Sequence, residues 1–270
     1  MTPLKTLTPD WQVNSSVRAF CTTRLGGVSE APFDALNLGL HVGDEAEKVM
    51  ENRRLLQESC ALPTSPEWLH QTHSALIHTV EPDSLPTSDS AGEVQASKLS
   101  GGLEHAAANA DGAWTDQPNK VLAVLTADCL PVVISDVQGS AVAVVHAGWR
   151  GLAAGILENA LTLFDDQLTL HAWLGPAIGP EAFEVGEDVR QAFTDRNSSH
   201  HRAFKHGAAP GKYWCDLYAL AREELQQMRT VVISGGEHCT HRQSEWFHSH
   251  RRDGARSGRM ATMVWISSGH

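Results

Sequence analysis

A chain of 270 residues with 41% hydrophobic side chains carries enough apolar material for a sizeable core. Its formal charge of −11, from 21 Lys and Arg against 32 Asp and Glu, argues against non-specific nucleic-acid binding, which needs clustered cations facing phosphates. No apolar run approaches the roughly 18 residues that span a bilayer, and the start MTPLKTLTPDW has no signal-peptide pattern, so no membrane partner is expected. Five cysteines (Cys21, Cys60, Cys129, Cys215, Cys239), odd in number and without a CxxC, fit a reducing cytoplasm rather than a disulfide framework.

In chain order, residues 17–22 (VRAFCT) read as a first strand, followed by Gly- and Asn-punctuated loops through residue 44. Asp44 is the expected N-cap of a helix over 45–60, with Arg53 and Arg54 inside it. In Trp68-Leu69-His70-Gln71-Thr72-His73, strand alternation places His70 and His73 on opposite faces, and Ala75–Val80 reads as the next strand. Residues 81–108, rich in Ser, Pro, Gly and Asp, read as a mobile loop insertion inside a single domain spanning 1–270.

The stretch from Val121 to Gly151 organises the rest. Its apolar runs Val121–Leu125, Leu130–Ile134 and Ala141–Val145 have the valine-rich character of strands buried on both faces. Asp136-Val137-Gln138-Gly139 between the last two predicts a hairpin. If Ser135 pairs with Ser140, Cys129 faces His146, with Cβ atoms about 5 Å apart on one face. A register slip of one residue would separate them. A helix over 151–164 follows; its start beside Gly148 and Arg150 is a candidate anion site. Further along come a strand at 171–174, a rigid turn at 175–180, helices near 187–193 and 216–228, and strands at 230–233 and 260–266. The class is α/β (α+β), with a mixed sheet flanked by helices.

Cys129 and His146 suit either a shared metal ion or a nucleophile and base; Cys129 alone also reads as a buried structural thiol. Adding His73 gives three ligands with an open fourth position, the pattern of a catalytic zinc site, where bound water titrates near 7. Asp128 either orients a histidine, acts as general base, or simply shapes a turn. Trp149 reads as a core or pocket-wall residue. Arg251, Arg252, Arg256 and Arg259 form the one strongly basic cluster, either a surface patch balanced by Asp253 or an anion site. His248-Ser249-His250 and His238-Cys239-Thr240-His241 fall short of a multicopper set.

The segments NLGLHVGD (37–44), ENRRLL (51–56), HQTH (70–73), ADG (110–112), TADCLPV (126–132), VHAGWRGL (145–152), LGPAIGPEAFEVGEDV (174–189), HCT (238–240) and FHSHRRDGARSGRMATMVW (247–265) resemble, in order, the YfiH-type family. That family also carries the labels laccase-domain, polyphenol oxidase and peptidoglycan editing factor. The chain departs from the pattern at Ser257, usually threonine, and at His250, usually aromatic. The resemblance implies one α/β domain of the CNF/YfiH-like cysteine-hydrolase type, with zinc at His73, Cys129 and His146. It implies phosphorolysis of adenosine, inosine, guanosine and methylthioadenosine, and deamination of adenosine. A phosphate-holding arginine is then required: Arg150 and Arg53 are candidates, with Arg251 behind them, while Asn37 and His41 are candidates for nucleoside contact and Asp128 and Cys129 for chemistry. The alternatives are a cysteine hydrolase or amidase acting on a peptidoglycan precursor, and a copper-dependent phenol oxidase.

Overall fold

The structure, a computed structural model, describes residues 3–82 and 107–268. The insertion expected over 81–108 lies almost wholly outside the described residues. The strands in chain order are β1 (Thr6–Leu7), β2 (Val17–Thr22), β3 (Ile77–Thr79), β4 (Gly112–Thr115), β5 (Leu122–Thr126), β6 (Leu130–Asp136), β7 (Val142–Ala147), β8 (Leu170–Leu174), β9 (Glu184–Gly186), β10 (Phe204–His206), β11 (Lys212–Cys215), β12 (Val231–Gly235) and β13 (Met260–Ile266). The helices are α1 (Ala46–Ser59), α2 (Trp149–Ala153), α3 (Ile156–Leu161), α4 (Glu187–Thr194), α5 (Leu217–Met228) and α6 (His250–Asp253), with short 3₁₀ turns at Leu40–Val42 and Ser198–Ala203.

A six-stranded sheet in the order β12-β8-β6-β7-β4-β3 packs against a four-stranded sheet β1-β2-β13-β5, and β10-β11-β9 form a third. The large sheet is mixed: β12 runs parallel to β8 and β3 to β4, while the central pairs are antiparallel. The expected mixed α/β class is what forms.

The apolar runs are explained by burial on both faces. Along β6 and β7, Leu130, Val132, Ile134, Ala143, Val145 and Ala147 face the helical layer with Leu152, Ile156 and Leu220. The alternate residues Val133, Val142 and Val144 face the second sheet with Val124 and Val264. On that sheet's far side, Ala123, Leu125, Met263 and Trp265 meet Leu36, Leu38 and Leu56. Period-two alternation thus selects between two dry layers rather than between core and water.

Four local expectations are corrected. The hairpin register is two residues off: Leu130 pairs with Ala147, Pro131 with His146 and Ser135 with Val142. The cause is Asp136, whose carboxylate accepts hydrogen bonds from Gln138 N, Ser140 N, Ser140 Oγ and Ala141 N and so widens the loop. A slip of two keeps every side chain on its face, so Cys129 and His146 stay together. The helix expected over 151–164 is split into α2 and α3 by Gly155, which sits at φ +85°. Glu45, not Asp44, holds the N-cap position of α1; Asp44 instead accepts from Ser29 Oγ and Asn37 Nδ2. Residues 71–73 leave strand geometry, with His73 at φ +61°, and the following strand shrinks to β3.

Candidate metal centre and substrate cavity

One buried carboxylate sets the position of the centre. Asp111 is fully buried at the start of β4. Its Oδ1 accepts from His73 N at 2.9 Å and lies 2.8 Å from His146 Nδ1. Its Oδ2 accepts from Thr72 N at 3.1 Å, Ser74 N at 2.6 Å and Ser74 Oγ at 2.7 Å. This clamp offsets the left-handed backbone of His73, a conformation costly for most non-glycine residues. It also fixes His146, with Nδ1–H toward the carboxylate and Nε2 toward the cavity. Gln71 supports the same segment: its amide donates to Leu125 O at 2.9 Å and accepts from Leu125 N at 2.7 Å, standing in for a strand partner of β5.

The result is a His73–Cys129–His146 group whose donor atoms all lie within 4.8 Å of one another, with Cys129 Sγ 3.8 Å from His73 Nε2. Zn–S and Zn–N bond lengths place tetrahedral S and N donors about 3.5 Å apart, so small side-chain shifts would close the group on an ion. Gly148 leaves the space: a Cβ there would lie 2.9 Å from Cys129 Sγ and 3.0 Å from His73 Cδ2. Burial alone would push the Cys129 thiol up, but the charge and hydrogen bonds of His146 and His73 outweigh it and bring the thiol down to about 6. For His146, burial opposes protonation, and Cys129 and Asp111 overcome it, raising the imidazole to about 9. The donor set therefore favours the thiolate, the form that ligates metal. Among the described residues it is the only group of three or more His, Cys, Asp or Glu side chains close enough to hold an ion.

The group faces a cavity of about 400 Å³, within the range of small-molecule sites. Trp149, Ile178, Phe183 and Leu217 supply apolar wall, and the rim carries the guanidinium groups of Arg251 and Arg259 with the imidazoles of His41 and His250. Trp149 is thus the expected pocket-wall residue. Asp128 also lines the cavity but holds its carboxylate away from the histidines: Oδ1 accepts from Thr240 Oγ1 at 2.6 Å, and Oδ2 from Arg251 N at 2.6 Å and Ser249 Oγ at 3.1 Å. It ties the turn at Cys129 to the C-terminal segment.

Three sequence candidates stand outside the lining. Arg150 is exposed and stacks on Trp149, 4.3 Å from the ring centroid. Arg53 donates to Leu38 O and stacks on Trp68. Asn37 is fully buried behind the cavity, accepting from Gly39 N and Arg259 N. The basic cluster divides. Arg252 is consumed by Asp253 and the carbonyls of Thr240, His241 and Phe247, and Arg256 lies over Phe33. Arg251 and Arg259 alone among the four line the cavity. At the departures from the family pattern, Ser257 is buried with Oγ donating to Gly258 O, and His250 stands on the rim.

Residues 18–267 match the family described as multi-copper polyphenol oxidoreductase laccase. The chain belongs to that family. It is 43% identical over 264 residues to Escherichia coli purine nucleoside phosphorylase YfiH, covering 97% of this chain and 99% of the relative. It is 45% identical over 271 residues to a purine nucleoside phosphorylase of Xylella fastidiosa, covering 98% of each. A crystal structure of a Neisseria meningitidis protein superposes with a TM-score of 0.82 at 40% identity, covering 97% of this chain and 99% of that one. This laccase-family member is an enzyme, and no helix among its described residues is long and apolar enough to cross a membrane.

Asp111 and Gln71 receive no role from the sequence, and Arg259 only a place in the basic cluster. Asp111 lay inside the quoted ADG motif, and an Asp-Gly pair opening a strand is an available signal. Gln71 and Arg259 act through contacts across 54 and 222 positions, to Leu125 and Asn37, which no local pattern encodes.

Proposed function

We propose that the protein is a zinc-dependent purine nucleoside phosphorylase. It cleaves adenosine, inosine, guanosine and methylthioadenosine with phosphate, and also deaminates adenosine. The observation that carries the reading is the three-ligand His73–Cys129–His146 group at an apolar-walled cavity, in a chain over 40% identical to phosphorylases across nearly its whole length. The whole chain serves as one catalytic domain. Five free thiols suit the cytoplasm.

Zinc held there supplies a Lewis acid. The chain's own residues supply the rest. Asp111 accepts a hydrogen bond from His146 Nδ1 and so directs Nε2 toward Cys129 and His73. Trp149, Ile178, Phe183 and Leu217 cover the purine faces and exclude water. Asp128 holds Arg251 and the C-terminal segment against the cavity, and His41 meets the nucleoside from the 37–44 loop. The test is metal analysis of the purified protein, with adenosine and phosphate supplied and adenine, hypoxanthine, ammonia and ribose 1-phosphate followed by chromatography. Formation of none of these overturns the reading.

A second reading, a cysteine hydrolase acting on a peptidoglycan precursor, draws support from the depressed Cys129 thiol beside two histidines. Alkylation would then abolish activity while chelation left it intact. Copper in the same three ligands is the remaining alternative, and the metal analysis separates it.

A further inference from the structure

Arg259 is half-buried on the edge of the cavity, and no carboxylate among the described residues pairs with it directly. Its Nη1 donates to Ser257 O at 2.7 Å and Gly258 O at 3.1 Å, and no Asp or Glu oxygen among the described residues forms an ion pair with it. The negative groups that act on it are Cys129 and Asp128. Both are committed elsewhere, Cys129 to the two histidines and Asp128 to three hydrogen-bond donors. A guanidinium taken from water without a partner is costly unless an anion completes it.

The chain invests in holding it there. Asn37, fully buried, accepts from Arg259 N at 2.9 Å and from Gly39 N at 3.0 Å, which ties the loop carrying His41 to the segment carrying Arg259. The stem of Arg259 lies over Gly39. A Cβ at that glycine would sit 2.7 Å from Arg259 Cγ and 3.5 Å from His41 Cε1. Gly39 has an ordinary extended backbone, φ −96° and ψ 117°, so the absent side chain serves proximity rather than backbone freedom. Arg251 joins from the other side, its guanidinium over Phe183 and one nitrogen donating to Glu184 O at 2.9 Å.

We propose that Arg259, with Arg251, is the anchor of the inorganic phosphate co-substrate. The proposal rests on the phosphorylase reading. A planar guanidinium with free donors matches phosphate oxygens two at a time. So placed, a phosphate oxygen bonds to ribose C1′ as the C1′–N9 bond breaks. The electron pair leaves with the purine, and the phosphate proton passes to the purine nitrogen.

The test uses Arg259→Gln, Arg259→Lys and Gly39→Ala in the metal-loaded full-length protein. Gly39→Ala displaces the Arg259 stem while keeping its charge, so it serves if Arg259→Gln does not fold. Arg259→Gln is expected to raise the phosphate KM at least tenfold, with adenosine KM within twofold and metal content unchanged; Arg259→Lys and Gly39→Ala fall between. An unchanged phosphate KM in the folded variants overturns the assignment. A turnover-independent arm measures the rise in melting temperature that inorganic phosphate alone gives. If wild type forms no ribose 1-phosphate but phosphate raises its melting temperature, and Arg259→Gln loses that rise, the phosphorylase reading fails and the anion site stands. If phosphate stabilises wild type and Arg259→Gln equally, the anchor is wrong whatever the activity.

Discussion

The floor and the rim of the cavity are built by opposite means. The floor is local to the central sheet: Cys129 just precedes β6, His146 lies in β7, and both sit on one face because a two-residue register shift preserves sidedness. One carboxylate, Asp111, holds its two histidines. The rim is assembled from segments far apart in sequence. Asp128 pins the turn at 128 to residues 240, 249 and 251, and Asn37 pins residue 39 to residue 259. The floor therefore depends on strand pairing and one clamp, whereas the rim depends on single buried polar tethers. Each should fail without the other.

The largest separation comes from Cys129→Ala. If Cys129 holds zinc as proposed, its loss would remove a ligand and the Lewis acid with it, several kcal/mol of transition-state stabilisation, or about a thousandfold or more in kcat/KM. Metal content should drop while phosphate still shifts the melting temperature through the rim. A variant retaining both metal and turnover would refute the floor as described.

Asp111→Asn is next. The amide cannot accept from both His73 N and His146 Nδ1 on one side and three donors from residues 72 and 74 on the other. Loss of such a partner costs about 10- to 100-fold in metal affinity or activity. Competition with a chelator measures it. Equal affinity in the variant would mean that His73 and His146 hold their places unaided.

The same contrast governs what the sequence discloses. The floor was legible where period two and valine content decide the answer: β5, β6, β7 and β13 fall where the apolar runs put them, and Cys129 and His146 meet. It was illegible where one side chain reshapes a turn. Asp136 moved the register, Gly155 cut the helix after Trp149, and the left-handed His73 carried its ring to the centre from outside a strand. Asp111 is not legible because its five donors come from two distant segments, residues 72–74 and His146. Rim arginines were misjudged because sequence proximity to a motif says little about direction: Arg150 adjoins the HAGW segment yet points to solvent, while Arg259, beyond the RRDG run, reaches the cavity.

Acid should loosen the rim through a route absent from the floor. His248 is fully buried, with its ring against Gly258, the neighbour of Arg259. Burial first, then the charge of Arg24, pushes its imidazole from 6.5 down to about 3. Below pH 6.5 the unfolded chain takes up a proton that the folded chain refuses, so stability falls as pH drops toward 3. At about 1.4 kcal/mol per pH unit, the loss from this residue is about 2 kcal/mol by pH 5. His248→Gln should flatten the melting temperature between pH 6.5 and 5 relative to wild type. An identical slope would assign the acid lability elsewhere.

The smallest effect expected, and the sharpest on mechanism, belongs to Asp128→Asn. The sequence leaves Asp128 as an orienting group, a general base or a turn residue, and its carboxylate spends its lone pairs on Thr240, Ser249 and Arg251 N. An amide can keep Arg251 N and Ser249 Oγ on its oxygen and turn the Thr240 contact around, but the bonds lose their charge, which costs about 1.5 kcal/mol, or roughly tenfold. If the group only positions the rim, the loss should appear in KM for phosphate and nucleoside, with kcat within about threefold and metal content unchanged. If it takes a proton in the reaction, kcat should fall, its pH profile should change, and KM should hold. Loss of metal would be a third result, and it would mean that rim and floor are one unit after all, coupled through the turn where Asp128, at φ +88°, adjoins Cys129.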